Sequence, residues 1–152
     1  MLYTTVLTMH SWLRWITLIL AIAATLNALR PVLPGGRLPG KRWDTFFMAA
    51  VDLQVLMGLF LYFGLSPFTL EAMNDMGAAM KNSGLRFWAV EHAVGMFTVM
   101  ALVRVGRILS AGATSPAAAR TRRLVFFALA LIVMLGSIPW PGMANGRPLF
   151  RV

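Results

Sequence analysis

The sequence predicts an all-α integral membrane protein, built as an up-down four-helix bundle in a single domain over residues 1–152. Composition is the first reason. Hydrophobic residues make up 59% of the chain and charged residues only 12%, whereas a soluble domain carries about a quarter charged residues. The second reason is that four apolar runs are each long enough to cross a bilayer core, which takes roughly 20 residues.

Turn-forming residues between the apolar runs define the expected helix ends. Pro31 follows the first run, Asp44 suits the N-cap of the second helix, and Pro67 ends that helix. Pro139 follows the fourth run. We therefore expect transmembrane helices at about 4–29, 44–65, 84–109 and 121–138.

The connection over residues 67–84 is long enough to hold a short interfacial helix. Met73, Met76 and Met80 recur there at helical spacing and share one face. That face suits contact with the bilayer. The alternative is a group of thioether ligands for Cu(I), which prefers soft donors.

Positive charge is concentrated in two of the three connections, and this asymmetry predicts the orientation. By the positive-inside rule these two connections face the cytoplasm. Both termini and the 67–84 connection then face the periplasm of a bacterial inner membrane. The same asymmetry explains the net charge of +9 without a nucleic-acid partner. The residues concerned are Arg30, Arg37, Lys41 and Arg42 in the first connection, and Arg104, Arg107, Arg120, Arg122 and Arg123 around the third.

The chain has two histidines, and both fall inside expected transmembrane helices. Counted from the helix starts, His10 and His92 lie at a similar depth, roughly 9–12 Å below the outer surface at 1.5 Å per residue. Ionisable groups at such depth are costly and usually functional. Two level imidazoles on different helices of a bundle are the arrangement that ligates a b-type haem.

Four other polar residues are candidates for the same site. Arg14 lies one turn below His10, and Asp52 lies deeper on the second helix, so we expect an Arg14–Asp52 ion pair. The functional alternatives are that Arg14 contacts a haem propionate or a quinone oxygen and that Asp52 carries protons. Gln54 is a candidate donor to a quinone carbonyl. Glu91 is a further candidate metal ligand, or a residue that orients an imidazole.

Arg86 lies at the outer boundary of the third helix, where it is expected to anchor the helix at the interface or to pair with Glu91. Arg86 and Arg147 are also placed to neutralise propionates. Other chemistries lack their motifs. With no cysteine there is no thiolate metal site, and there is no phosphate-binding glycine loop, nucleophile elbow or H-E-x-x-H pattern.

Several strings resemble a family of small four-helix bacterial membrane proteins labelled cytochrome-b-like or uncharacterised. The resemblance implies haem ligation by membrane histidines. This chain departs from the family at one position, because relatives often carry histidine where Asp52 stands. An aspartate there suits a non-haem metal site at least as well as a second haem. The matching strings are His10-Ser11-Trp12-Leu13-Arg14-Trp15, Leu53 through Phe63, Met80-Lys81-Asn82, Arg86-Phe87-Trp88-Ala89-Val90-Glu91-His92 and Gly146-Arg147-Pro148-Leu149-Phe150.

Three functional hypotheses follow. The leading one is a b-type cytochrome with one haem b near the periplasmic face, ligated by His10 and His92, that passes electrons between quinol and a periplasmic redox partner. The second is a site for copper or another transition metal, built from the histidines with Asp52 or Glu91. The third is a non-enzymatic accessory subunit of a larger membrane complex, in which the buried charges only hold the bundle together.

Overall fold

The structure, a computed structural model, describes residues 1–150, and the regular elements of this part of the chain are helices. Short π-helical turns, Leu61–Leu65 and Phe87–Glu91, extend two of them. The helices are α1 Leu2–Leu29, α2 Lys41–Phe60, α3 Pro67–Asn74, α4 Met76–Lys81, α5 Ser83–Arg86, α6 His92–Ala111 and α7 Pro116–Ser137.

Three helical stretches within residues 1–150 are long and apolar enough to cross a membrane, namely Leu2–Leu29, Lys41–Leu65 and Ser83–Ala111. They indicate a membrane protein. The fourth long helix, α7, has 22 residues. It begins at Pro116, earlier than the sequence predicted, because Ser115 caps it by accepting a hydrogen bond from the Ala118 amide at 3.2 Å.

The four long helices pack in the cyclic order α1, α2, α6, α7, so that α1 and α6 are diagonal to one another. Small residues such as Ala21, Ala24 and Ala130 are buried between them and allow close helix approach. Contact between α2 and α6 is the sparsest around the ring. A cleft consequently opens between these two helices.

The prediction that Asp44 is the N-cap of the second helix is wrong. The helix begins at Lys41, directly after Gly40, whose positive φ of 70° favours glycine. Asp44 lies in the first turn, is buried, and forms an ion pair with Arg123 of α7 at 2.8 Å. It therefore joins two helices instead of capping one.

The 67–84 connection is helical, but it forms short helices instead of one. Asp75 interrupts the helical run, and its carboxylate then accepts a hydrogen bond from the Ala78 amide at 2.9 Å to cap α4. Met73, Met76 and Met80 are each about two-fifths exposed. Their contact with a bilayer or with copper stays a prediction.

The π-helical turn Phe87–Glu91 leads directly into His92. In such a turn residues five apart lie above one another, and the Arg86 guanidinium accordingly bonds the Glu91 carboxylate at 2.7 Å. The turn shifts the helical register just before the histidine. π-Helical turns of this kind occur frequently at functional sites.

Candidate functional site

One polar layer crosses the interior of the bundle, with one residue from each long helix. His10 comes from α1, Gln54 from α2, His92 from α6 and Ser137 from α7. The imidazole rings of His10 and His92 meet across the diagonal, with their centroids 6.4 Å apart and their planes at 73°. Because polar groups inside a membrane bundle are costly, such a layer is a candidate functional site.

His92 is held by a backbone carbonyl. Its Nδ1 lies 2.8 Å from the Ser137 carbonyl oxygen, and since a carbonyl only accepts, Nδ1 must carry the proton. The neutral ring then has its lone pair on Nε2, which is the state of a metal-ligating histidine whose other nitrogen is fixed by a carbonyl. The rings of Phe87 and Trp88 pack beside it at 5.9 and 5.7 Å.

His10 is held by Gln54. The Gln54 amide nitrogen donates to His10 Nε2 at 3.1 Å and to the His10 carbonyl at 3.2 Å. Since Nε2 accepts, the proton of the neutral ring is on Nδ1. This Nδ1 and the Gln54 Oε1 are both buried without a hydrogen-bond partner among residues 1–150, so the layer has unsatisfied capacity for a ligand.

Three adjoining cavities have both histidines in their walls. Their volumes are about 50, 70 and 510 Å³, and only the third is in the range of ligand and cofactor pockets. The largest is the cleft between α2 and α6, where Phe63 and Phe97 are exposed at the rim. The site is therefore open sideways, toward the lipid that would surround the bundle.

The C-terminal tail, residues 138–150, covers the site at the end of the bundle where α1 begins. The Arg147 guanidinium lies 4.9 Å from the ring centres of both Phe68 and Trp88. Arg147 also lines two of the cavities that contain the histidines. The tail thus places a cation in the wall of two cavities that also contain the imidazole pair.

Arg14 contributes a second cation to the cavity wall. Its guanidinium donates to the Leu149 carbonyl at 2.7 Å, and the Trp15 indole donates to the same oxygen at 2.9 Å. The expected Arg14–Asp52 ion pair does not form. Asp52 instead pairs with Arg104 of α6 at 2.7 Å, because it faces the next helix around the ring.

Glu91 and Arg86 bond each other at the half-exposed end of the bundle, with 48% and 39% of their side chains exposed. Neither lines the cavities around the histidines. Within residues 1–150, no group of three or more histidine, cysteine or acidic side chains is placed to hold a metal ion. The structure therefore separates Asp52 and Glu91 from the histidines with which the sequence grouped them.

Two residues of the site, Ser137 and Met96, were not predicted from the sequence as its members. Ser137 acts through its carbonyl, which no side-chain pattern reveals. Met96 lines the cavity with both histidines, and its position one turn after His92 was a usable signal. Arg147 was expected from the sequence as a residue placed to neutralise a propionate, although nothing in the spacing shows how the tail folds back.

The chemistry of the site fits an iron held between two imidazoles. Metal–nitrogen bonds of roughly 2 Å on each side would place two opposed imidazole centres roughly 6 Å apart, close to the 6.4 Å between His10 and His92. His92 has its lone pair on the free nitrogen. His10 fits only when Gln54 releases its Nε2, so ligation requires that one side chain to turn away.

Comparison with known proteins adds no family. No protein-family model matches the chain, and neither a curated protein nor a solved structure is similar enough to count as a match. The site's own geometry is therefore what supports a function.

Proposed function

We propose that this is a b-type haem protein of a bacterial inner membrane, with one haem held between His10 and His92. The observation that supports it best is the pair of diagonal imidazoles 6.4 Å apart, one of them fixed through Nδ1 on the Ser137 carbonyl. Axial histidines from facing helices are how bundles hold haem. When bound, the haem would supply reversible one-electron chemistry, between quinol and a periplasmic partner.

The other residues of the site have roles consistent with that proposal. Ser137 orients the His92 ring and keeps its proton on Nδ1. Arg14 and Arg147 line the cavity beside the histidines and are suited to bind carboxylates such as propionates. Arg86 is engaged by Glu91 outside the cavity, so Arg147 replaces it in this role.

The cleft between α2 and α6 supports quinol as the electron donor. It opens sideways and is lined largely by apolar groups, among them Val55, Leu59 and Phe97. A quinone is an apolar molecule that travels in the bilayer, so this opening gives it a route to Gln54 and the histidines. Gln54 has a carbonyl oxygen without a partner among residues 1–150, which can accept a hydrogen bond from a quinol hydroxyl.

The proposed topology has four crossings with both termini in the periplasm. Large apolar side chains cover the outer face of α7 as they do the other long helices, with Ile132 64% exposed and Ile19 63% exposed. Such an apolar outer face is expected where lipid surrounds a helix. The arginine-rich connections lie at the end away from the histidines, which supports a periplasmic haem.

Absorption spectroscopy on protein purified from haem-supplied cells tests the proposal. We expect a Soret band and reducible α and β bands in the wild type, and their loss in His10→Ala and His92→Ala. Glu91→Gln is the matched control, because it changes the neighbouring residue and should leave the bands intact. A colourless wild type, or bands that persist in both histidine variants, would sink the proposal.

Copper is the second candidate, and Met96 is the observation that favours it. This thioether lines the same cavity as His10 and His92, and two imidazoles with a thioether suit copper. The ligands expected from the sequence, Asp52 and Glu91, are engaged in other ion pairs. Copper analysis of Met96→Leu separates the candidates: copper content should fall if copper is native, whereas haem content should not change.

A further inference from the structure

A separate cavity, of about 460 Å³, lies at the end of the bundle away from the histidines. We call it the basic cavity. Its walls come from the α1–α2 and α6–α7 connections and from the adjoining ends of α2, α6 and α7. The residues that matter for its chemistry are Lys41, Asp44, Arg107, Ser115 and Arg123.

The basic cavity holds more positive than negative charge. Arg123 and Asp44 neutralise one another in a buried ion pair at 2.8 Å. The Arg107 guanidinium donates hydrogen bonds to neutral groups, the Met48 sulfur at 3.2 Å and the Thr45 hydroxyl at 3.4 Å. No ion pair within residues 1–150 includes Arg107 or Lys41. The cavity therefore has an excess of two positive charges.

Backbone dipoles add to this positive potential. Both α2 and α7 begin at the cavity, at Lys41 and Pro116. The start of a helix carries a partial positive charge and free amide groups, and so favours anions. Two such starts converge on the side chains that already lack a counter-charge.

We propose that the basic cavity binds a phosphate group, supplied by the headgroup of an anionic phospholipid. Basic pockets between helices at the cytoplasmic ends of membrane proteins hold such headgroups. Exposed apolar side chains continue from the cavity along the helix surfaces, with Ile108 69% and Phe46 54% exposed. These are where the acyl chains of a lipid with its phosphate at Arg107 would lie. The site is separate from the histidines and does not depend on the haem proposal.

Lipid titration of the delipidated full chain in a neutral detergent tests this site. We expect phosphatidylglycerol to raise the melting temperature and to form a one-to-one adduct in native mass spectrometry, and phosphatidylcholine to do neither. Arg107→Gln should weaken phosphatidylglycerol binding about tenfold or more, the loss expected for one charged hydrogen-bonding partner. Arg42→Gln removes the same charge from an exposed residue outside the cavity and should change binding by less than about twofold.

A second titration, with inorganic phosphate, distinguishes a lipid headgroup from a soluble phosphate as the source of the bound phosphate group. If inorganic phosphate binds, Arg107→Gln weakens that binding, and the lipid does not bind at the concentrations tested, the site is supported with a soluble phosphate as its ligand. Equal weakening by Arg107→Gln and Arg42→Gln, or equal binding of both lipids, would overturn the proposal. Lys41→Gln provides a second test if Arg107→Gln does not fold, because Lys41 is exposed and holds no ion pair in the described chain.

Discussion

Breaking the buried ion pair between Asp44 and Arg123 should strongly destabilise the protein, and Asp44→Asn tests it. The two side chains are only 8% and 2% exposed. The variant keeps the shape of the side chain but leaves the Arg123 guanidinium buried without a counter-charge. Breaking a buried pair in this way costs about 3–5 kcal/mol. We expect a loss near the lower value, because Arg123 keeps its hydrogen bond to the Pro39 carbonyl at 2.7 Å.

Glu91→Gln is the matched control for that loss. It makes the same carboxylate-to-amide change in a pair of similar length, 2.7 Å, whose side chains are 48% and 39% exposed. Such an exposed pair contributes about 1 kcal/mol or less. Free energies of unfolding would be measured by titrating the detergent-solubilised protein with SDS. Equal losses in the two variants, or no loss in Asp44→Asn, would refute the reasoning from burial.

Three further predictions concern packing, the tail and topology. A β-carbon at Gly95 would overlap a side chain of α7, so Gly95→Ala should cost about 1–3 kcal/mol in the SDS assay, whereas Gly136→Ala, which meets open space, should cost nothing. Arg147→Gln removes two cation–π contacts and should weaken the free energy of tail docking by about 1–2 kcal/mol. Limited proteolysis should then cleave the tail faster, and an unchanged cleavage rate would contradict the docked tail. Because the chain has no cysteine, single-cysteine variants report topology. An impermeant maleimide should label Asn145→Cys in intact cells and Thr114→Cys only after permeabilisation. Labelling of both variants from one side would rule out the proposed orientation.

Counting residues along the helices is enough to predict the depth of the two histidines. Depth in a membrane helix follows directly from residue number, at 1.5 Å per residue, and so the sequence alone predicts His10 and His92 at one level. The all-helical class and the three apolar helices likewise follow from composition and run length. The helix boundaries differ by a few residues where a cap such as Ser115 starts a helix earlier than its apolar run.

Ion-pair partners could not be predicted in the same way. Residue number predicts the depth of a side chain in the membrane but not which neighbouring helix it faces. Asp52 pairs with Arg104 on α6 and not with Arg14 on α1. The buried pairing of Asp44 with Arg123 is hidden for the same reason, since the sequence places both residues at helix ends and connections. The contacts of Arg147 depend on the tail folding back over the bundle, and no periodic pattern in the sequence predicts that reversal of the chain.

The electron paramagnetic resonance spectrum of the oxidised, purified protein tests most directly whether two imidazoles share one iron. Ligation by both His10 and His92 predicts a low-spin ferric haem signal in the wild type. Replacing either histidine with alanine should abolish this low-spin signal together with haem binding. A high-spin signal in the wild type, or a spectrum without haem iron, would contradict the proposed site.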